Sequence, residues 1–328
     1  LEFRRVLFRS CLNKREILAR QDTSQSGFRG FFLHRAKLAK CTALRASPRC
    51  SGDTSKNTLK LHTNQLGDPL FMSQTELIYP RWVIPVEPRG RVLTDHVVAV
   101  RDGEILAIMP QSEVGTALSG YKRIDLPEHV LIPGLVNLHT HAAMTLLRGL
   151  ADDLPLMRWL QEHIWPAEAK HVSEAFVRDG TLLACAEMLR GGVTCANDMY
   201  FFPAAATDAA RAGAMRLALG MIIIDFPTAY ATDAEDYLAK GLALRDAYRE
   251  HPLLSFCLAP HAPYTVSDRA FKKIAVIANE LDLPIHVHVH ETTDEVERSV
   301  AEHGVRPIER LQQLGLIGPG LIAVHAVH

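Results

Sequence analysis

The chain has 328 residues, 48% hydrophobic and 22% charged, with a formal net charge of −1 and six cysteines. That is the balance of a soluble globular protein able to bury a large core. It excludes two classes at once: no apolar run reaches the roughly 18 residues of a membrane span, and the cysteines show no CxxC pairing or disulfide framework.

The charge is uneven. Residues 1–71 hold 14 of the 36 Lys and Arg but 5 of the 37 Asp and Glu, so a basic leader precedes an acidic body. The leader begins LEFRRVLFRS without a methionine, shows no strong hydrophobic period, and carries Cys11, Cys41 and Cys50. Leu-Glu-Phe is what a translated cloning or adapter site gives, and Met72 opens a plausible protein start, so 1–71 is read as a non-native or disordered leader. An organellar transit peptide, Arg- and Ser-rich and acid-poor, is the alternative. A nucleic-acid-binding arm is the weakest reading, because no aromatic interleaving or recognition motif accompanies the charge.

From about Tyr79 to Asp125, the pieces RWVIPVEP, RGRVLTDHVVAVRDG and EILAIMP alternate with turn signals, and Arg101-Asp102-Gly103 predicts a hairpin. Residues 72–128 are read as a small β module whose strands need partners elsewhere. Next comes LIPGLVNLHTHAAM, an apolar run broken by Pro133-Gly134 and ending in His139 and His141. It predicts a buried strand. Residues two apart on an extended chain share a side, so both imidazoles can reach one metal ion.

Alternating helices and strands follow. Helical periodicity over Val172–Arg190 stops at Gly191-Gly192, and VTCAND reads as a strand. A helix near Pro203–Ala212 leads to the strand MRLALGMIII, and an amphipathic helix over Asp233–Glu250 leads to LLSFCLAPH, ending in His261. Ser267 caps a helix to Leu281, and LPIHVHVHE ends in His288, His290 and Glu291. Two short helices precede GLIAVHAVH, with His325 and His328. Cys185, Cys195 and Cys257 sit in apolar surroundings and read as small core residues of a reducing compartment.

Six β units with helical connections imply a parallel sheet. Polar residues collecting at strand C-termini are the mark of the active-site face of a (β/α)8 barrel. A doubly wound sheet also accepts six strands, but it gathers ligand groups near one switch point, whereas here several strand ends each supply a histidine or carboxylate. Any one of these is also readable as an ordinary polar residue: His261 as a satisfied histidine, Glu291 as a helix-start charge. Their recurrence at equivalent places points to a metal site. In HVHVHE, alternation puts His286, His288 and His290 on one side, so spacing alone does not choose the ligand. A carboxylate at the strand mouth, Glu291, can move a proton between a metal-activated water and a substrate.

The ordered set PGLVNLHTHAAM, LAPHAPYTVS, HVHETTDEV and IAVHAVH resembles the amidohydrolase superfamily, within it the branch of methylthioadenosine/S-adenosylhomocysteine deaminases and chlorohydrolase-like enzymes; RGLADDLPLMRWLQEHIWPAE is similar to the deaminases. The resemblance covers about Met72 to His328. It implies a (β/α)8 TIM-type barrel over 129–328 with a small β-sandwich module over 72–128. It makes His139, His141 and His288 metal ligands, Glu291 the proton shuttle contacting the substrate, His325 the group orienting the attacking hydroxide, His261 a substrate contact, and Glu168 the holder of the ribose hydroxyls. His286, His290 and His328 stay structural or supporting. The implied reaction is hydrolytic deamination: activated water adds at C6 of the adenine ring, Glu291 protonates N1, and ammonia leaves.

One departure matters. The resemblance calls for an aspartate ligand at the end of an eighth strand, and no such ligand follows the sixth strand in this sequence. The barrel and the β module are therefore expected to be truncated after about the sixth strand, and this fragment inactive. The expected cofactor is Zn²⁺, with Fe²⁺ or Mn²⁺ accepting similar ligands. The expected partner is a small nucleoside, with no nucleic acid and no membrane, in a cytoplasmic protein open to homo-oligomer formation. Alternatives are a guanine deaminase, a chlorotriazine-type amidohydrolase, or a non-catalytic truncated module.

Overall fold

The computed structural model describes residues 75–115 and 121–328. The basic leader, with Cys11, Cys41 and Cys50, lies outside them. The described residues fall into two compact units, 75–133 and Gly134–His328.

The first unit is one mixed sheet of β1 (Glu76–Val83), β2 (Leu93–Thr94), β3 (His96–Arg101), β4 (Glu104–Pro110) and β5 (Lys122–Leu131). The expected hairpin joins β3 and β4. Arg101 pairs with Glu104, and Asp102 (φ 53°) and Gly103 (φ 83°) both take the left-handed conformation that a two-residue turn of this hand needs. Alternation along β3 buries both faces: Val98 and Val100 pack with Val83 and Ile105, while Val97 and Ala99 pack with Leu77. The missing strand partner is β5, which runs parallel to β1 from Glu76↔Lys122 to Val83↔Leu131. Among the described residues this is a single five-stranded sheet in place of the expected sandwich. Because Lys122–Leu131 belongs to it, the units divide at Pro133-Gly134, a few residues beyond the boundary expected from the sequence.

The second unit holds six parallel strands, β6 (Leu135–Thr140), β7 (Val193–Met199), β8 (Arg216–Ile223), β9 (Leu254–Pro260), β10 (Ile285–Val289) and β11 (Leu321–His325), each paired with the next in chain order. The connections carry α1 (Leu156–Trp159) and α2 (Trp165–His171), joined through a π-helical turn at Leu160–Ile164, then α3 (Glu174–Arg190), α4 (Pro203–Ala212), α5 (Ala234–Tyr248), α6 (Asp268–Leu281), α7 (Thr293–His303) and α8 (Pro307–Gln313). Short polar side chains start several of these helices as their sequence suggests: Ser173 accepts from Phe176 N, Asp233 from Glu235 N and Asp236 N, and Ser267 from Ala270 N.

The sheet is rolled. Strands lie about 4.8 Å apart, so in a flat sheet β6 and β10 would stand about 19 Å from each other. Instead His139 on β6 and His288 on β10 bring their Nε2 atoms to 3.2 Å. The six strands therefore curl into a parallel barrel, though β6 and β11 are not paired to each other among the described residues. The core between barrel and helices includes Leu217, Leu219, Ile223, Leu258, Phe271, Ile274, Val287 and Leu311, all essentially solvent-free.

Two expectations for the histidine-bearing strand need correction. The apolar run is not one strand: β5 ends at Leu131 and β6 begins at Leu135, with Pro133-Gly134 between them. Nor is β6 buried. It has one neighbour among the described residues, and Leu135 and Leu138 are 52% and 45% exposed, because an edge strand lacks the second partner that would cover them. After β6 the chain makes a 3₁₀ turn, Ala142–Leu147, against which α3 packs at Gly180. A Cβ at Gly180 would overlap the Ala143 carbonyl oxygen, so glycine is what lets this helix approach the turn.

Candidate active site

Strand ends deliver the functional side chains to one place. His139 comes from β6 and His141 from the residue just past it, with ring centroids 4.7 Å apart. Their support comes from the end of β7: Met199 O accepts the His141 Nδ1–H at 2.5 Å, and the Asp198 carboxylate accepts Ala142 N–H at 2.7 Å. His288 donates its own Nδ1–H to His261 O at 2.7 Å. A carbonyl only accepts, so the proton of His141 and of His288 sits on Nδ1, and Nε2 presents a lone pair to the cluster.

His139 Nδ1 pairs with His286 Nε2 at 3.0 Å, which turns the His139 Nε2 towards His288. Burial holds the ring pKa values down. His139 falls to about 2, through burial and then neighbouring imidazoles; His261 and His286 fall to about 3; His141 and His288 are also lowered by burial. All five rings are therefore neutral near neutral pH and able to ligate a metal.

The donor set fits a metal ion. Two nitrogens bound to one tetrahedral zinc at 2.0–2.1 Å are about 3.3 Å apart, close to the 3.2 Å between His139 and His288. With the His139 proton on Nδ1, towards His286, its Nε2 and that of His288 turn lone pairs on each other, an arrangement that a cation between them stabilises. Ligand atoms of His139, His288 and His325 all lie within 4.8 Å of one another, and the His141 ring centroid is 5.2 Å from that of His288. Their ligand atoms place His325 beside His139 and His288, and the His141 ring lies nearer to both, its centroid 4.7 and 5.2 Å away against 5.8 and 5.4 Å for His325.

At the mouth, His325 Nε2 is 3.2 Å from Glu291 Oε1, and burial raises the Glu291 carboxyl above its ordinary value despite the opposing pull of His325. The His261 ring centroid is 4.9 Å from that of His288, and its Nδ1 meets Thr265 Oγ1 at 3.0 Å. Glu168, on α2, is raised by burial and accepts the Tyr200 hydroxyl at 2.6 Å. The structure therefore brings His139, His141, His288, His325, Glu291 and His261 into one cluster, and ties Glu168 to it through Tyr200, whose ring centroid lies 6.3 Å from that of His141.

His290 corrects the alternation argument. His286 and His288 share a side of β10, but His290 lies past the strand at φ 55° and turns away. It donates Nδ1–H to His328 O at 2.9 Å and accepts Ile308 N–H at Nε2 at the start of α8. Sequence reasoning missed Asp198, Tyr200 and Glu295. Asp198 and Tyr200 were findable in principle, because they close or follow β7 at the level where β6 delivers its histidines.

The sequence profile of the amidohydrolase family matches residues 130–328. The chain belongs to the amidohydrolase family. Among curated amidohydrolases, it is 52% identical over 249 residues to a 5-methylthioadenosine/S-adenosylhomocysteine deaminase of Saccharophagus degradans, covering 76% of this chain and 56% of that protein. Among solved structures, it is similar to an adenosine deaminase from Xanthomonas campestris with bound zinc, at 49% identity and TM-score 0.73, over 76% of this chain and 57% of the other. An atrazine chlorohydrolase from Arthrobacter aurescens complexed with zinc shares the fold at 20% identity and TM-score 0.70, over 77% and 61%. The chain spans little more than half the length of the curated relatives it matches.

Proposed function

We propose that this amidohydrolase is a metal-dependent hydrolytic deaminase of adenine nucleosides such as 5′-methylthioadenosine or S-adenosylhomocysteine, built on a (β/α)8-type barrel. The observation that carries the reading is the Glu291–His325 pair, 3.2 Å apart, set beside the facing His139 and His288 nitrogens. The relatives named as deaminases support it.

His139, His141 and His288 would hold the ion. Zinc is the preferred choice, given the neutral imidazoles and the zinc-bound relatives, and Fe²⁺ or Mn²⁺ would take similar ligands. Such an ion supplies an acidified water, its pKa brought from about 15.7 towards about 7. Glu291 would carry a proton from the attacking water to ring N1, a task suited to a carboxyl raised by burial. His325, 3.2 Å from Glu291, would orient the attacking oxygen, and His261 would contact the purine. Glu168 has one oxygen held by Tyr200, which leaves Oε2 to accept from a ribose hydroxyl. A half-buried carboxylate in that place serves a nucleoside and has no purpose for a free base, which favours this reading over guanine deamination or chlorotriazine hydrolysis. Cys185 and Cys257 are buried thiols pushed up to about 12 by burial, which leaves them chemically inert beside the site.

The test is ammonia release from 5′-methylthioadenosine by the intact, zinc-loaded protein carrying this sequence, with zinc counted per chain. The expected result is turnover with about one zinc, and a loss of at least about 100-fold in kcat for Glu291→Gln. Full turnover by that variant, or none by the loaded wild type, would sink the proposal. For the 328-residue chain itself, tightly held stoichiometric zinc would argue against a purely structural, non-catalytic role.

A further inference from the structure

The chain leaves β10 by an unusual step. His290 takes φ 55°, a left-handed conformation uncommon outside glycine but open to histidine, and its polar groups are held on every side. Its carbonyl accepts Val327 N–H, its ring bonds His328 O and Ile308 N–H, and its own N–H goes to Glu295 Oε1 at 3.0 Å. The next residue is Glu291, and its N–H goes to the other oxygen of the same carboxylate, Glu295 Oε2, at 2.8 Å.

Glu295 is 6% exposed and sits in the first turn of α7, where Thr292 Oγ1 accepts its N–H at 3.2 Å. In an ordinary capping box, a glutamate at this position bonds the N–H of the cap residue itself. Here it reaches past Thr292 to the two residues before it, both at the mouth of the site. Helix capping alone does not require that reach.

We propose that Glu295 is the positioning residue of Glu291: its carboxylate clamps the N–H groups of His290 and Glu291 and so sets the direction in which the Glu291 side chain leaves β10 to meet His325. The inference rests on the reading of Glu291 as the proton carrier, and it assigns Glu295 no contact with substrate.

Glutamine at 295 keeps one acceptor and turns an N–H₂ towards the other backbone N–H, breaking half the clamp. In the intact zinc-loaded protein, Glu295→Gln is expected to lower kcat for 5′-methylthioadenosine by about 10- to 100-fold, with KM within about twofold and zinc content unchanged. Glu295→Asp, which withdraws the carboxylate by one methylene, is expected to fall between and is the variant to read if the glutamine protein does not fold. Thr292→Ala removes the cap of the same helix end without touching either N–H, and should keep kcat within about twofold of wild type. Wild-type kcat in the Glu295 variants, an equal loss in Thr292→Ala, or loss of zinc along with kcat would overturn the inference. A fully active Glu291→Gln would instead remove the reading beneath it, a result distinct from a silent Glu295→Gln beside a dead Glu291→Gln.

Discussion

Asp198→Asn tests the support of the histidine pair through pH. Asp198 is fully buried at the end of β7, and burial raises its carboxyl from 3.8 to about 7, against the pull of the Ala142 and Met199 N–H groups. In the unfolded chain it titrates near its ordinary value. Between about pH 4 and pH 7, therefore, the unfolded state gives up a proton that the folded state keeps, and this group's contribution to stability falls as pH rises through that window and is level above it. A shift of about three units corresponds to roughly 4 kcal/mol, of which roughly 2 to 3 kcal/mol is lost between about pH 5 and pH 8. Asparagine has the same shape and still offers a carbonyl to Ala142 N–H, yet has no proton to lose. The buried imidazoles act oppositely. Their folded pKa values are lowered, so they favour folding as pH rises through about 6.5, but they do so in both proteins and cancel in the difference. Urea unfolding, with a slope of about 3 kcal/mol per molar, should show the variant's midpoint gaining about 1 M on wild type between about pH 5 and pH 8. A difference that does not change with pH would refute the reasoning, as would a variant that loses ground at the higher pH.

Two further outcomes follow from the same site. Tyr200→Phe removes the donor that holds Glu168, so KM for 5′-methylthioadenosine in the intact protein should rise about 10-fold with kcat little changed, in line with the roughly 1.5 kcal/mol of one hydrogen bond to a charged group; Glu168→Ala should raise it further, and unchanged KM in both would remove the support for a nucleoside. Gly180→Ala should destabilise by about 1 to 3 kcal/mol in thermal unfolding, although alanine is the better helix former by about 1 kcal/mol, because the added methyl meets the Ala143 backbone; a stabilised variant would show that α3 can withdraw from the turn.

Much of this was readable from residue order. The alternation of helices and apolar strands and the Ser267 cap are local properties, and the structure keeps them. What was not legible depends on distant partners. Lys122–Leu131 carries Pro127 and a charged stretch, shows only brief apolar alternation of its own, and forms a strand along the edge that β1 offers. His290 was grouped with His286 and His288 by a two-residue period that ends at Val289, and the step out of that period is dictated by Glu295, Ile308 and His328. Which imidazole nitrogen faces the cluster is decided by Met199 O and His261 O, backbone atoms that no side-chain pattern reveals. Tyr200 gains its meaning from Glu168, 32 residues before it, through a bond that neither residue announces alone.

The facing nitrogens of His139 and His288 are 149 positions apart in the chain, on the first and fifth strands of the rolled sheet. An ion gripped by both is a rivet across the roll. Flattening the sheet would pull the two ligands apart, so loading the ion and keeping the curvature are one event. An ion held there would also set how far the barrel wall can unroll.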